Sequence, residues 1–166
     1  LVHDDPDAAD AALLRLSQLL RAATDAARRP LHPLADELAL ARSFAELMQQ
    51  RYGPARVRLQ WDTDAAPAIE VPALSLQPLL ENAFVHAVER RAALTTIRIV
   101  VRQDAARLML SVADDGPGHA AEHPAGVALA NLRERLRALY GGAASLQLLP
   151  REAGGSVAVL ELPVRG

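Results

Sequence analysis

The chain contains no cysteine. Disulfides, thiolate metal sites and a cysteine nucleophile are thereby excluded, and the composition fits a reducing compartment. Aromatic residues make up only 3% of the 166 residues, against 51% hydrophobic. The core should therefore be aliphatic and the helices rich in alanine. An excess of charge of one sign is also lacking: the formal net charge is −2 and the isoelectric point about 6.2. Such a balance offers no basic field, so no nucleic-acid partner is expected. No apolar run approaches the roughly 20 residues that span a bilayer, and no signal peptide is visible. An initiating methionine is missing too, because the sequence opens on Leu1, and we read it as a piece of a longer protein. What remains suffices for one ordinary domain with an appended helical element.

Apolar residues in the first fifty positions recur at helical spacing. From Asp7 to Arg29 the stripe is Ala9, Ala12, Leu16, Leu19, Ala23 and Ala26, widened by Leu13, Leu20 and Ala27. Asp4, Asp5 and Pro6 suit its start. A stripe so apolar must pack on the next helix, on a second copy of itself, or on both. His3 lies ahead of the helix as a solvated residue near a chain end. The prolines in Arg28 to Pro33 break the pattern. A second helix is expected from about Leu34 to Arg51, with Leu34, Leu38, Ala41, Ala45 and Met48 on one face and Leu40, Phe44 and Leu47 beside them. Tyr52-Gly53-Pro54 ends it, which divides the chain into a helical region over 1–52 and a second domain over 53–166.

Beyond Gly53 the period becomes two. Val57, Leu59 and Trp61 mark a half-buried strand, Asp62 to Pro67 a loop, and Ile69 with Val71 a short strand. Leu80, Ala83, Phe84 and Ala87 then line one helix face, with Asn82, His86 and Glu89 roughly opposite. Pro78 sits where that helix starts or kinks. Ile97, Ile99 and Val101 pair with Leu108, Leu110 and Val112 across a turn at Gln103 to Arg107. A last helix turns Leu129, Leu132, Leu136 and Leu139 inward and Arg133, Glu134 and Arg137 outward, ending at Gly141-Gly142. Strands at about Ser145 to Leu149 and Val157 to Leu162 flank Gly154-Gly155. The fold class is α+β: a two-layer sandwich, with a mixed sheet backed by helices on one side.

Three polar clusters stand out. Asp114 ends a strand and is followed by Gly116-Pro117-Gly118, so its carboxylate can accept a hydrogen bond from an exocyclic amine while the glycines let backbone approach a flat base. A helix beginning near Gly126 points free N–H groups at an anion, which suits a phosphate tail. Asn82 offers a neutral oxygen suited to Mg²⁺, and Glu81 either polarises a water or positions the cation's shell. Taken singly, each has a plainer explanation as a turn, a helix start and a solvated face, and such features are far commoner than sites.

Together these residues resemble a known family. Leu76-Gln77-Pro78-Leu79-Leu80-Glu81-Asn82-Ala83 with His86 resembles the N box of the LytS/YehU-type sensor histidine kinases, whose ATP-binding domain has the Bergerat (GHKL) fold. Asp114-Asp115-Gly116-Pro117-Gly118 resembles their G1 box. The run Gly126-Val127-Ala128-Leu129-Ala130-Asn131 through Leu136, with Tyr140-Gly141, resembles their G2 region. Glu37-Leu38 to Phe44, Glu46 and Arg51-Tyr52-Gly53 are similar to the segment joining the dimerisation helices to the catalytic domain.

The resemblance implies ATP held at the adenine by Asp114, Gly116 and Gly118 and through Mg²⁺ by Asn82. It also implies a pocket shaped by His86 and phosphates against Gly126, Ala128, Leu129 and Asn131, with a lid between Gly118 and Gly126. Glu81 and Asn82 become the catalytic pair. The γ-phosphoryl of ATP would pass to a histidine upstream of Leu1 and on to the receiver domain of a response regulator. The kinase would be a homodimer joined through its N-terminal helices, with this part cytoplasmic and the full-length protein anchored in the inner membrane by its missing N-terminal part. Three positions depart from the pattern: Ala128 replaces a glycine, Val85 a lysine and Ala87 a glycine. The family's Pro-His-Phe acceptor motif is absent, and His32, His119 and His123 do not match it. Two alternatives follow. One is a degenerate kinase domain acting as a dimeric interaction module, which an ATP titration discriminates. The other is a different GHKL ATPase or an anti-sigma serine kinase, which the helical segment Asp7 to Arg51 disfavours.

Overall fold

Alternating apolar residues build the sheet on which everything else rests. The computed structural model describes residues 6–117 and 127–164. Its elements are helix α1 (Pro6–Arg28), strand β1 (Leu31–Pro33), α2 (Leu34–Tyr52), β2 (Val57–Asp64), β3 (Glu70–Pro72) and α3 (Gln77–Ala83). A π-helical turn (Phe84–Val88) follows, then β4 (Thr95–Gln103), β5 (Arg107–Asp114), α4 (Val127–Tyr140), β6 (Ser145–Pro150) and β7 (Ser156–Pro163). Five strands form one mixed sheet in the order β2-β4-β5-β7-β6, with β2 parallel to β4 and the other pairs antiparallel. Ile97, Ile99 and Val101, Leu108, Leu110 and Val112, and Ala158, Leu160 and Leu162 are all buried. This period-two pattern gives the sheet its apolar face.

The helices supply the other half of the core. Leu34, Ala41, Phe44 and Ala45 of α2 share it with Leu79, Leu80, Ala83 and Phe84 of the α3 segment and with Leu129, Leu132 and Leu136 of α4. The expected α+β sandwich is therefore present. Helix α1 differs: Leu19 is buried, whereas Leu13, Leu14, Leu16 and Leu20 are 47 to 62% exposed. The side chains of Ala26 and Ala27 lie outside the described residues, as do Gly118, Gly126, His3, His119 and His123.

Two local expectations need correction, and one expected break carries a strand as well. Strand β2 runs on to Asp64 instead of giving way to a loop at Asp62, because Arg98 and Arg102 of the neighbouring β4 both reach the Asp62 carboxylate. The break between α1 and α2 is not merely a loop. Leu31–Pro33 pairs antiparallel with Glu70–Pro72 as a separate two-stranded ribbon, and the carbonyls of Ile69 and Pro67 accept from the first amides of α2, those of Leu34 and Ala35. Such long-range pairing leaves no periodic trace in three residues. Finally, the helix after Pro78 is not uniform: it widens at Phe84–Val88, where the Glu89 amide donates to the Phe84 carbonyl five residues back. The wider turn adds Val88 to the buried row and leaves its carbonyl for the Arg56 guanidinium. Turns of this kind occur often at functional sites.

Candidate nucleotide site

Asp114 closes the central strand β5, opposite Ile97 on one side and Ser156 on the other. Its side chain is buried, and Oδ1 accepts from the Gly116 amide at 3.0 Å. Burial pushes this carboxyl above its ordinary range, while backbone donation from Gly116 and Ser156 pulls partly back. The Arg151 guanidinium donates to the Asp114 carbonyl at 2.7 Å, and that of Arg91 to the Asp115 carbonyl at 2.6 Å. The strand end is thus anchored at its main chain.

Two glycines make this turn possible. A Cβ on Gly116 would stand 2.5 Å from the Cβ of Ala87 and 2.9 Å from its Cα, and one on Gly155 would stand 2.0 Å from the Asp114 carbonyl oxygen. Gly155 also has φ of +87°, which L side chains rarely adopt. The methyl at Ala87 occupies the space that a methyl at 116 would need. This departure from the family pattern is therefore tolerated because its neighbour is glycine.

The N-box residues do not form a solvated row. Asn82 is only 8% exposed and His86 is half-buried, while Glu89 stays exposed. Leu79, Leu80 and Phe84 bury the opposite side, and the Phe84 ring packs edge-on against Phe44 and stacked against Tyr52, both at 6.1 Å. Three of the chain's few aromatic rings thus fix this one helix. Its start is held by a buried carboxylate. Glu37 of α2, 1% exposed, accepts from the amides of Leu74 and Leu76 and meets His32 Nε2, each at 2.8 Å. Arg135 of α4 donates to the carbonyls of Ala73 and Leu74 at 2.6 and 2.8 Å. Leu74, between these clamps, has φ of +56°.

A cavity of about 500 Å³ opens between α2, the α3 segment and the first turn of α4. Glu81, Asn82 and His86 line it together with Ala128 and Leu129, so the N box and the described part of the G2 region come together. Asn131 does not line it: it is exposed beside Gln77, Pro78 and Arg135 in a neighbouring depression. Asp114 and Gly116 lie at the strand end behind Ala87 and are not on the cavity wall. Phe44, Met48 and Arg51 of α2 complete the wall, a contribution the sequence reading did not assign to the site. Their i, i+4, i+7 spacing was a signal that could have found it.

This fold, with a buried aspartate at a glycine-lined strand end beside an N-box cavity, is that of histidine kinase ATP-binding domains. The histidine kinase domain of the Erythrobacter litoralis EL346 blue-light activated histidine kinase superposes with a TM-score of 0.64 at 19% identity, covering 96% of this chain and 76% of that one. The catalytic domain of histidine kinase ThkA gives 0.62 at 17% identity over 80% and 93%. The family model described as histidine kinase matches residues 1–56. The sensor protein LytS of Enterococcus faecalis is 31% identical over 178 residues, which is 99% of this chain and 30% of that protein. LytS of Bacillus subtilis is 29% identical over 92% and 28%. The chain belongs to the LytS-type sensor histidine kinases. It spans about 30% of the length of the curated relatives it matches.

Proposed function

We propose that this chain is the ATP-binding and catalytic portion of a two-component sensor histidine kinase, which passes the γ-phosphoryl of ATP to a histidine outside residues 1–166. One observation carries this reading: Glu81, Asn82 and His86 line one cavity with the first turn of α4, and the buried Asp114–Gly116 turn packs against Ala87, next to His86 in the chain. Asp114 accepts a hydrogen bond from the exocyclic amine of adenine, with Gly116, packed against Ala87, fixing the turn beside it and Gly118 as a further residue of the same glycine run. The phosphates extend toward Gly126, Ala128 and Leu129, beside His86, while Asn131 lies outside this cavity. Phosphoryl transfer of this kind rests on positioning and charge neutralisation.

The residues present fit a magnesium ion. Asn82, 8% exposed, lines the cavity with Glu81 next to it, and an amide oxygen beside a carboxylate is a hard donor set. A cation there would take its other ligands from phosphate and water, as Mg²⁺ prefers. When bound, Mg²⁺ neutralises charge on the phosphate oxygens. Asn82 would hold it, and Glu81 would orient its water shell.

The division of labour follows the chain. Residues 1–52 carry the remainder of the dimerisation region, whose exposed Leu13, Leu16 and Leu20 favour a homodimer, and 53–166 the catalytic domain, with α2 built into its core. A response-regulator receiver domain takes the phosphoryl group onward. The catalytic part works in the cytoplasm, and an anchor in the inner membrane belongs to the rest of the protein. No helix among the described residues is long and apolar enough to cross a membrane.

None of the five histidines stands in the family's acceptor motif, and His32 is engaged with Glu37. Incubation with γ-labelled ATP should therefore leave the chain alone unlabelled and label a separately made upstream helical segment once that is added. Acid-labile label on the chain alone would contradict this reading.

A further inference from the structure

We infer that Arg51 is the cation that binds the polyphosphate tail of the nucleotide; this rests on the nucleotide-site reading above and assigns a residue within it. The sequence contains no lysine, so all 18 basic side chains other than histidine are arginine. Those around the site are largely committed to main-chain carbonyls: Arg56 to Val88 and Arg91, Arg91 to Leu94 and Asp115, Arg135 to Ala73 and Leu74, and Arg151 to Asp114. The stretch 118–126 contains two histidines but no arginine. It has no permanent cation to offer.

Among the described residues of the cavity wall Arg51 is the only arginine, and the same wall also carries Glu81 and Glu89. The Tyr52 hydroxyl donates to Glu89, and Arg51 forms no ion pair among the described residues. Its guanidinium lies 5.4 Å from the Tyr52 ring centroid, exposed at the C-terminal turn of α2. A polyanion entering beside Asn82 would meet two like charges and one opposite charge. A planar guanidinium suits phosphate, because its donors can engage two oxygens at once. Val85, 45% exposed on the same wall, marks where a second cation could stand instead.

The experiment is calorimetric titration of the chain with Mg-ATP and with adenosine, before and after Arg51→Met. A charge-assisted contact is worth about 1.5–3 kcal/mol, so ATP should bind roughly ten- to a hundred-fold more weakly to the variant while adenosine is unaffected. Arg51→Met combined with Val85→Lys should recover most of the lost ATP affinity. The unfolding temperature should not move, since the side chain is exposed. ATP affinity that survives Arg51→Met, or an equal loss for ATP and adenosine, would overturn the assignment while leaving the nucleotide-site reading in place. A parent chain that binds no ATP would overturn both.

Discussion

Glu37→Ala is the perturbation whose effect the geometry defines best. The carboxylate is 1% exposed and joins α2 to the start of α3 through the amides of Leu74 and Leu76, both at 2.8 Å. The Leu76 contact is fully buried and the Leu74 contact partly so. An orphaned buried donor costs about 1–3 kcal/mol, so losing both acceptors should cost roughly 3–4 kcal/mol. The clamp also holds Leu74 at φ of +56°, a conformation that leucine seldom adopts. At about 2–4 °C per kcal/mol for a chain of this size, thermal unfolding should fall by roughly 10 °C. Glu37→Gln keeps one acceptor and should lose about half as much. Scanning calorimetry supplies the totals, and hydrogen exchange locates the effect at the amides of Leu74, Leu76, Leu79 and Leu80. A loss below about 1 kcal/mol, or unchanged protection at Leu76, would refute the clamp.

Gly116→Ala drives a methyl into Ala87 and should destabilise by about 1–3 kcal/mol, as overpacking does, and Ala87→Gly in the same chain should restore part of it, since the clash with the residue 87 Cα remains. Denaturant unfolding of the single and double variants measures both. Asp114→Asn should remove adenine binding yet raise the unfolding temperature at pH 7. Burial holds the folded carboxyl above its ordinary value of 3.8, so its contribution to stability is full below that pH and lost as pH rises through the folded value. The gain should shrink toward zero below pH 4 in a pH series of thermal melts. Ala128→Gly removes a methyl from the cavity wall and should tighten ATP binding by about 1 kcal/mol; unchanged or weaker affinity would show that the alanine is harmless.

The sheet was legible because Ile97, Ile99 and Val101, and Leu108, Leu110 and Val112, alternate cleanly with less buried residues, and period two has few other readings. The place of Asp114 at a strand end was legible because a Gly-Pro-Gly run follows it within two residues. Glu37 was not: in sequence it is one more acid in a helix's first turn, favoured there by the helix dipole, and its partners lie 37 and 39 positions away. The β1–β3 ribbon escaped notice for the same reason, since three residues including a proline carry no period. The π-helical turn was hidden because a 100° projection assumes the regular geometry that Phe84–Val88 departs from. Arg51 was visible as a residue of the family segment, but its place on the cavity wall depends on how α2 packs against Phe84, through Phe44 and Tyr52.

The most direct test is titration of this chain with ATP and with GTP, each with and without Mg²⁺, followed by calorimetry. An adenine-reading aspartate behind an N-box cavity predicts saturable ATP binding that weakens without the metal, together with GTP binding too weak to match it. Equal binding of the two nucleotides, or none of either, would contradict the account.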